Sequence, residues 1–177
     1  MAFNDSGAGA AAARVRFTEF AAADDPMLVA WARFRGLLAG PAREPSRTHT
    51  AAPPVHPESV LWRLLATNNR ELGRSYVLYR RYSTARAHVE QLQADSDALS
   101  IELIHGPHNG SRGWVIVADD VPVVTCSRWY SSISAGALAA AGALHAFRTA
   151  VVWETPDRSD SSGRYRRRPP AVPYAST

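Results

Sequence analysis

One segment of the chain is written twice, and this repetition limits the possible folds more than any other feature of the sequence. Residues 62–92 align with residues 114–144 when one residue is dropped near the first turn. Each copy runs from a tryptophan through two short apolar stretches, separated by a polar pair, to a tyrosine and an alanine-bearing helical segment. A repeat of roughly 50 residues is typical of a copied supersecondary unit, in which each copy covers apolar surface of the other. The repetition therefore predicts an architecture and leaves the activity open.

The composition excludes some kinds of chemistry. The chain has 177 residues, enough for one domain with tails, and all 20 of its basic residues are arginine. Without lysine there is no side-chain amine for nucleophilic or Schiff-base catalysis. The formal net charge is only +4, and the repeated region is close to neutral, so it does not resemble a DNA-binding face.

Cysteine usage and hydropathy indicate the cellular setting. The single cysteine, Cys126, excludes an internal disulfide framework and a cysteine-rich metal site, and it favours a reducing compartment. The N-terminus lacks the pattern of a secretory signal, and no stretch approaches the roughly 20 apolar residues that cross a bilayer. The sequence therefore predicts a soluble, cytoplasmic protein that does not enter membranes.

The segments outside the repeats have distinct compositions. Residues 1–23 are rich in alanine and glycine, and residues 155–177 are rich in arginine and proline, so both are predicted to be disordered tails. Residues 41–57 contain five prolines and are predicted to form a semi-stiff linker.

Residues 24–40 are predicted to form an amphipathic helix, with an acidic N-cap, proline at the first helical position and a Gly-Pro stop. Its apolar stripe consists of positions i, i+4, i+7 and i+11, which are Met27, Trp31, Phe34 and Leu38. The stripe needs a partner surface, either the repeat domain of the same chain or another subunit. These four residues are therefore the candidate partner-binding set.

Residues 58–154 are predicted to form one tandem-repeat domain, with copies at about 60–95 and 100–150. Each copy reads as a β-hairpin followed by a helix, for which Ser83 is a possible N-cap in the first copy. An edge strand at residues 100–104 precedes the second hairpin, whereas no matching strand is evident before Trp62. The predicted fold class is α+β: two pseudo-twofold-related β-β-(β)-α repeats forming a mostly antiparallel sheet with helices on one face, plus the N-terminal amphipathic helix.

The layout resembles the YegP-like family of small tandem-repeat domains. The residues that carry the resemblance are, in the first copy, 62–66, Arg74, Ser75, Tyr79, Ser83 and Ala85, and in the second copy 114–120, Cys126, Ser127 and 130–132. The resemblance implies two strand-strand-strand-helix units that share one core. It implies no activity, cofactor or site residue, because the family has none established.

No motif predicts catalysis, a cofactor or a bound metal. His105 and His108 form an H-x-x-H pair, but a metal site needs further ligands and the spacing supplies none. Asp119 and Asp120 lie at a predicted hairpin tip, where adjacent carboxylates form turns. A small metal enzyme or hydrolase that uses His105, His108 and Asp119 is accordingly the weakest hypothesis.

Two functional hypotheses follow. The first is a non-enzymatic interaction or scaffold protein, which docks a protein partner or a second copy of itself through the N-terminal helix and the tails. The alternative is an accessory protein that binds nucleic acid or ribonucleoprotein through phosphate contacts of the arginine-rich tail. The candidate nucleic-acid-binding residues are Arg164, Arg166, Arg167 and Arg168.

Overall fold

The computed structural model describes residues 12–39 and 59–159 and the backbone of Tyr165–Arg166. It is a mixed α+β fold with three helices and nine strands in these residues, and most strand pairs are antiparallel. The helices are α1 (Pro26–Ala39), α2 (Tyr82–Ala94) and α3 (Ile133–Arg148). The strands are β1 (Arg14–Phe20), β2 (Val60–Leu65), β3 (Glu71–Ser75), β4 (Ser100–His105), β5 (Arg112–Ala118), β6 (Val121–Thr125), β7 (Val151–Val152), β8 (Asp157–Ser159) and β9 (Tyr165–Arg166).

The strands form one sheet in the order β4-β5-β6-β3-β2-β1-β8-β9, and β7 also pairs with β1. The fold class predicted from the sequence is therefore confirmed. The predicted edge strand is also confirmed, since β4 is at one end of this order. The pairs of β1 with β7 and β8 are parallel, and all the others are antiparallel.

The prediction of a tail over residues 1–23 is wrong for β1. This strand pairs with β2 from Arg14↔Leu65 to Glu19↔Val60, and Val15, Phe17 and Phe20 are completely buried. It is the strand that the first repeat lacked in the sequence, and α1 with the following linker separates it from β2. Residues 1–11 and the predicted linker, 41–57, lie outside the described residues.

The prediction of a tail from residue 155 is wrong for β8. Residues 157–159 pair in parallel with the end of β1, from Thr18↔Asp157 to Phe20↔Ser159. The guanidinium of Arg16 in β1 donates to both carboxylate oxygens of Asp157, with Nη2–Oδ1 at 2.6 Å, in a half-buried ion pair. This forked contact fixes β8 beside β1.

The two units contain matching contacts at matching positions. Val60 exchanges two backbone hydrogen bonds with Tyr79, and Arg112 exchanges two with Tyr130. Two residues further along, the backbone N–H of the tryptophan donates to a buried side chain at the end of the neighbouring strand or directly after it. Trp62 donates to Ser75 Oγ at 3.4 Å, and Trp114 donates to Cys126 Sγ at 3.3 Å. The buried cysteine thus has the structural position of a serine.

The loops of the two hairpins differ in length by one residue. Asp119 and Asp120 both have positive φ, 48° and 62°, between paired Ala118 and Val121. Positive φ at both central positions defines a type I′ turn, which aspartate tolerates. In the first unit the loop has three residues and ends at Asn69, with φ of 63°. The Ala66 N–H donates to the Arg70 carbonyl across that loop.

Helices α2 and α3 lie on one face of the sheet, and α1 packs on the other face. Trp62 of β2 stacks on Phe147 of α3, with ring centroids 5.6 Å apart. The neighbouring residue Leu61 packs with Leu28 and Trp31 of α1. Because successive side chains of a strand point to opposite faces, the central sheet is covered on both sides.

Alanine substitutions at two glycines should have opposite effects. A Cβ at Gly36, inside α1, meets no heavy atom within 4 Å, so Gly36→Ala should raise the free energy of unfolding by about 0.5–1 kcal/mol. A Cβ at Gly73 would lie 3.0 Å from Trp114 Cη2 and 3.1 Å from the Thr125 carbonyl oxygen. Gly73→Ala should lower stability by about 1–3 kcal/mol. Urea unfolding of the two variants checks this, and equal shifts would contradict the placement of β3 against Trp114.

Candidate functional site

The apolar stripe of α1 packs against the sheet of its own chain. Trp31 is 1% exposed, and its indole Nε1–H donates to the Ser75 carbonyl at 2.9 Å. Leu38 is also buried, and the Phe34 ring lies 5.0 Å from the ring of Trp129. Met27 is partly buried beside Leu28 and Trp31. Of the two partner surfaces that the sequence left open, the stripe contacts the repeat domain of the same chain.

The candidate nucleic-acid-binding residues lie at the border of the described residues or beyond it. Arg164, Arg167 and Arg168 are outside them, and Arg166 is described only as backbone of β9, paired with Arg158. Their contact with nucleic acid stays a prediction.

The structure does not bring the H-x-x-H pair and the hairpin carboxylates together. His105 pairs with Arg112 at the start of β5, whereas Asp119 follows the end of that strand. A seven-residue strand spans roughly 20 Å, too far for shared metal ligation. Within the described ranges, no three His, Cys, Asp or Glu side chains are close enough to hold a metal ion.

A chain of three hydrogen-bonding side chains, two of them buried, links β2 to α2. Trp62 Nε1–H donates to Tyr79 Oη at 3.4 Å, and Tyr79 Oη lies 2.7 Å from His88 Nδ1. Burial raises the pKa of Tyr79 to about 12, against a lowering contribution from the Trp62 hydrogen bond. Burial also lowers the pKa of the half-buried His88. A neutral imidazole can accept the Tyr79 hydroxyl proton, which a protonated imidazole cannot do.

Because of this arrangement, the stability of the fold should depend on pH through the protonation of His88. Because its pKa is lowered in the folded state, the unfolded chain binds the proton more readily, and the His88 contribution to stability is lost as the pH falls below about 6.5. The free energy of unfolding should fall less between pH 7 and pH 5 in His88→Gln than in the wild type. His145→Gln, at an exposed helix position, is the matched control. Parallel curves for wild type and His88→Gln would contradict the assignment.

Cys126 is a packed core residue. It is completely buried, and burial is the main cause of its raised pKa, so its thiol is a poor nucleophile. This agrees with its acceptance of the Trp114 N–H in the same way as Ser75 Oγ accepts that of Trp62.

A surface groove lies between the β2–β3 hairpin and α3, with a volume of about 500 Å³. Its floor consists largely of small or apolar residues, and three charged side chains lie around it. The lining residues are Ala66, Arg70, Glu71, Leu72, Arg128, Tyr130, Ala135, Leu138, Ala139 and Gly142. The sequence pattern did not reveal this groove, because it combines the turn of one unit with the helix of the other.

The helices of residues 12–39 and 59–159 include none that is long and apolar enough to cross a bilayer.

The fold and these features define a small α+β domain in which two three-strand-and-helix units share one sheet. No protein-family model matches the chain, and no curated protein matches it. Among solved structures, the chain is similar to YegP of E. coli, a protein of unknown function, at 11% identity and a TM-score of 0.46 over 84% of this chain and 97% of that one. It is also similar to a UPF0339 protein of Shewanella oneidensis, at 20% identity and a TM-score of 0.43 over 54% of this chain and 80% of that one. Both TM-scores lie below 0.5, so neither neighbour informs the function of this chain.

Proposed function

We propose that the chain is a duplicated YegP-like domain that acts without catalysis, by docking a protein partner in the groove between the β2–β3 hairpin and α3. The observation that carries the proposal is the exposure of Leu138, which projects from α3 at 77% exposure. A single exposed leucine is ordinary on a protein surface, but Leu138 lies in a concave groove lined largely by small and apolar residues, and such grooves are where partners dock.

The floor of the groove has room for large side chains of a partner. Ala135, Ala139 and Gly142 line it from α3, and Ala66 lines it from the hairpin. A Cβ at Gly142 would meet no heavy atom within 4 Å. Small residues on one wall and an exposed leucine beside them would let a partner insert aromatic or branched side chains.

The charge around the groove indicates an acidic partner. The guanidiniums of Arg70 and Arg128 are exposed, and neither forms an ion pair with the described residues. Glu71 is instead engaged by Arg74 and lies 3.9 Å from Arg63 Nη1. Two uncompensated positive charges beside an apolar floor favour a segment that combines Asp or Glu with Leu, Phe or Trp.

Matching contacts in the two units support the proposed duplication of the domain. The backbone and side-chain contacts of the first unit recur in the second, as expected if one unit is a copy of the other. The matching residues are Val60, Trp62 and Ser75 in the first unit and Arg112, Trp114 and Cys126 in the second. The groove lies where the two copies meet. No observation among the described residues favours the nucleic-acid alternative, which stays a prediction.

A random peptide library displayed on phage tests the proposal. Selection on the full chain should enrich peptides that combine acidic and apolar residues. Their affinity, measured by fluorescence anisotropy, should fall at least tenfold for Leu138→Asp and for Arg128→Glu. Leu37→Asp, at the exposed leucine of α1, is the matched control and should bind as wild type. Equal binding by Leu138→Asp and wild type would overturn the proposal, as would the absence of enrichment.

Light scattering provides a second arm, because a second copy of the chain is the other candidate partner. Concentration-dependent dimerisation that Leu138→Asp abolishes would replace the acidic peptide with a second copy as the occupant.

A further inference from the structure

One edge of the sheet has no neighbour among the described residues. Strand β4 pairs with β5 on one side and ends the sheet on the other. It is six residues long, contains no proline, and its register with β5 has no bulge. Prolines, bulges and covering segments are the usual protection of an edge strand against pairing with another chain. The outer edge of β4 therefore has the form of a template for a further strand.

The equivalent edge of the first unit is covered. Strands β1 and β4 occupy matching positions, because each pairs with the strand that contains the tryptophan of its unit. Phe17 of β1 is opposite Trp62. Leu103 of β4 is opposite Trp114. Strands β7 and β8, which follow α3, pair with the outer side of β1. Within the described ranges, no strand pairs with the outer side of β4.

Apolar surface is exposed beside β4. Phe17 is completely buried, whereas Leu103, at the matching position, is 39% exposed. A Cβ at Gly136 of α3 would lie 3.9 Å from Leu103 Cδ2, so this leucine lies on the face of the sheet that α3 covers. Ile133, three residues earlier on the same side of α3, is 56% exposed. A strand beside β4 would therefore bury apolar surface in addition to pairing backbone groups.

The backbone of β5 shows which groups of β4 point outward. Arg112 exchanges both of its backbone hydrogen bonds with Tyr130. The Trp114 carbonyl accepts the Cys126 N–H at 3.1 Å. Both β5 residues thus direct their backbone groups away from β4, and in an antiparallel ladder the residues opposite them then direct theirs away from β5. The outward-pointing residues of β4 are Ile101, Leu103 and His105.

These outward groups are self-complementary about Leu103. A twofold axis at this residue pairs Leu103 with Leu103 of a second copy, and Ile101 with His105 of that copy. Every outward N–H and C=O then has a partner, and about six hydrogen bonds form. Glu102 is then opposite Ile104 of the second copy, so no like charges oppose each other. Sliding one strand by two residues loses an outward pair, and in one direction it also opposes the two copies of Glu102.

The chain already joins its own two units in this way. Strand β3 of the first unit and β6 of the second occupy matching positions, and they pair antiparallel from Arg74↔Thr125 to Ser75↔Val124. Helices α2 and α3 lie on one face, so the approximate twofold axis between the units is perpendicular to the sheet. Pairing of β4 with β4 of a second copy repeats this relation with exact symmetry. A contact of this kind closes at two copies.

We propose that the outer edge of β4 is the contact between two copies of this chain, which pair antiparallel about Leu103 into one continuous sheet. A contact of one strand per copy lies at the small end of interface sizes, below roughly 1,200 Å², so the Kd of the dimer falls in about the micromolar to millimolar range. The contact is independent of the groove between the β2–β3 hairpin and α3, because no residue of β4 lines that groove.

Sedimentation equilibrium at rising protein concentration tests the proposal. The wild-type chain should form dimers and no larger species. Leu103→Lys and Leu103→Asp each place two like charges opposite one another at the axis, so each should raise the Kd at least tenfold. An equimolar mixture of the two variants should dimerise again, because opposite charges then face each other. This recovery separates a lost contact from misfolding.

Two control variants accompany this measurement. Leu37→Lys introduces the same charge at an exposed leucine of α1 and should dimerise as wild type. Leu138→Asp, in the groove, should also dimerise as wild type, which distinguishes this dimer from one formed through the groove.

Amide hydrogen exchange provides a second readout. As the protein concentration rises, the outward N–H groups of Ile101, Leu103 and His105 should gain protection. The N–H groups of Glu102 and Ile104, which point to β5, should not change. Protection that alternates along the strand is specific to pairing at its outer edge.

Three outcomes would overturn the proposal: a monomer at every concentration up to the millimolar range, undiminished dimerisation of Leu103→Lys, or no recovery in the mixture of the two variants. A fourth outcome concerns the occupant. If an added extended peptide protects the outward amides of β4 while the chain alone stays monomeric, the edge pairs with a strand of another protein and not with a second copy.

Discussion

Removal of residues 1–57 should abolish cooperative folding of the rest of the described chain. This truncation deletes β1, which lies between β2 and β8 in the sheet. It also deletes α1, which covers the sheet face away from α2 and α3. It removes six buried apolar side chains: Val15, Phe17, Phe20, Leu28, Trp31 and Leu38. At roughly 1.5–3 kcal/mol each, their burial contributes about 9–18 kcal/mol, which matches or exceeds the whole stability of a typical domain.

Circular dichroism and urea unfolding measure this effect. Truncation before residue 12 is the control, because it keeps every described residue, and it should unfold as the full chain does. A cooperative unfolding transition in the chain that begins at residue 58 would show that β1 and α1 are accessory to the core.

Trp31→Ala should lower the free energy of unfolding by about 3–5 kcal/mol. The side chain is almost fully buried against Leu28 and Leu61, and its loss also leaves the Ser75 carbonyl without the indole donor. A helix that only awaited an outside partner would keep its apolar stripe exposed, and removing this tryptophan would then cost little. The substitution therefore distinguishes an intramolecular role of α1 from a docking role.

Leu37→Ala is the matched control for this prediction. Leu37 lies on the same helix at 45% exposure, and its truncation should change stability by less than about 0.5 kcal/mol. Equal effects of the two substitutions in urea unfolding would contradict the packing of α1 on the sheet.

The sequence predicted the elements with strong local signals. The Asp-Pro start of α1 appears as a cap in which Asp25 Oδ1 accepts the Met27 N–H at 2.9 Å. The hairpin β5–β6 and helix α3 also lie where the apolar stretches and the serine cluster placed them.

The sequence did not reveal β1, for a physical reason. The alternation of Arg14 and Arg16 with Val15 and Phe17 is a strand signal, but it is short, and the alanine-rich composition before it indicated a tail. Its pairing partners are distant in sequence, so no hairpin signal marks it. The charge of Arg16, typical of exposed surface, is instead neutralised by Asp157 within the sheet.

Comparison of the two units in the sequence reveals a difference at the start of their helices. Opposite the capping pair Ser131-Ser132 stands Arg80-Arg81, and a pair of arginines cannot accept helix N–H groups. The predicted cap, Ser83, lies inside α2. Strand β8 has no local signal in the sequence, because the composition of that segment indicated a tail.

The position of β1 in the sheet also determines when this strand can complete its pairing during synthesis. Its partners on one side belong to β7 and β8, and the contact between Glu19 and Arg158 spans 139 residues of chain. Contacts that close such long loops form late and slow the folding of the whole chain. A ribosome must therefore deliver nearly the complete described chain before its first strand gains its final neighbour. Until then, the edge of β1 that faces away from β2 has unpaired backbone groups, and unpaired strand edges make folding intermediates prone to aggregation.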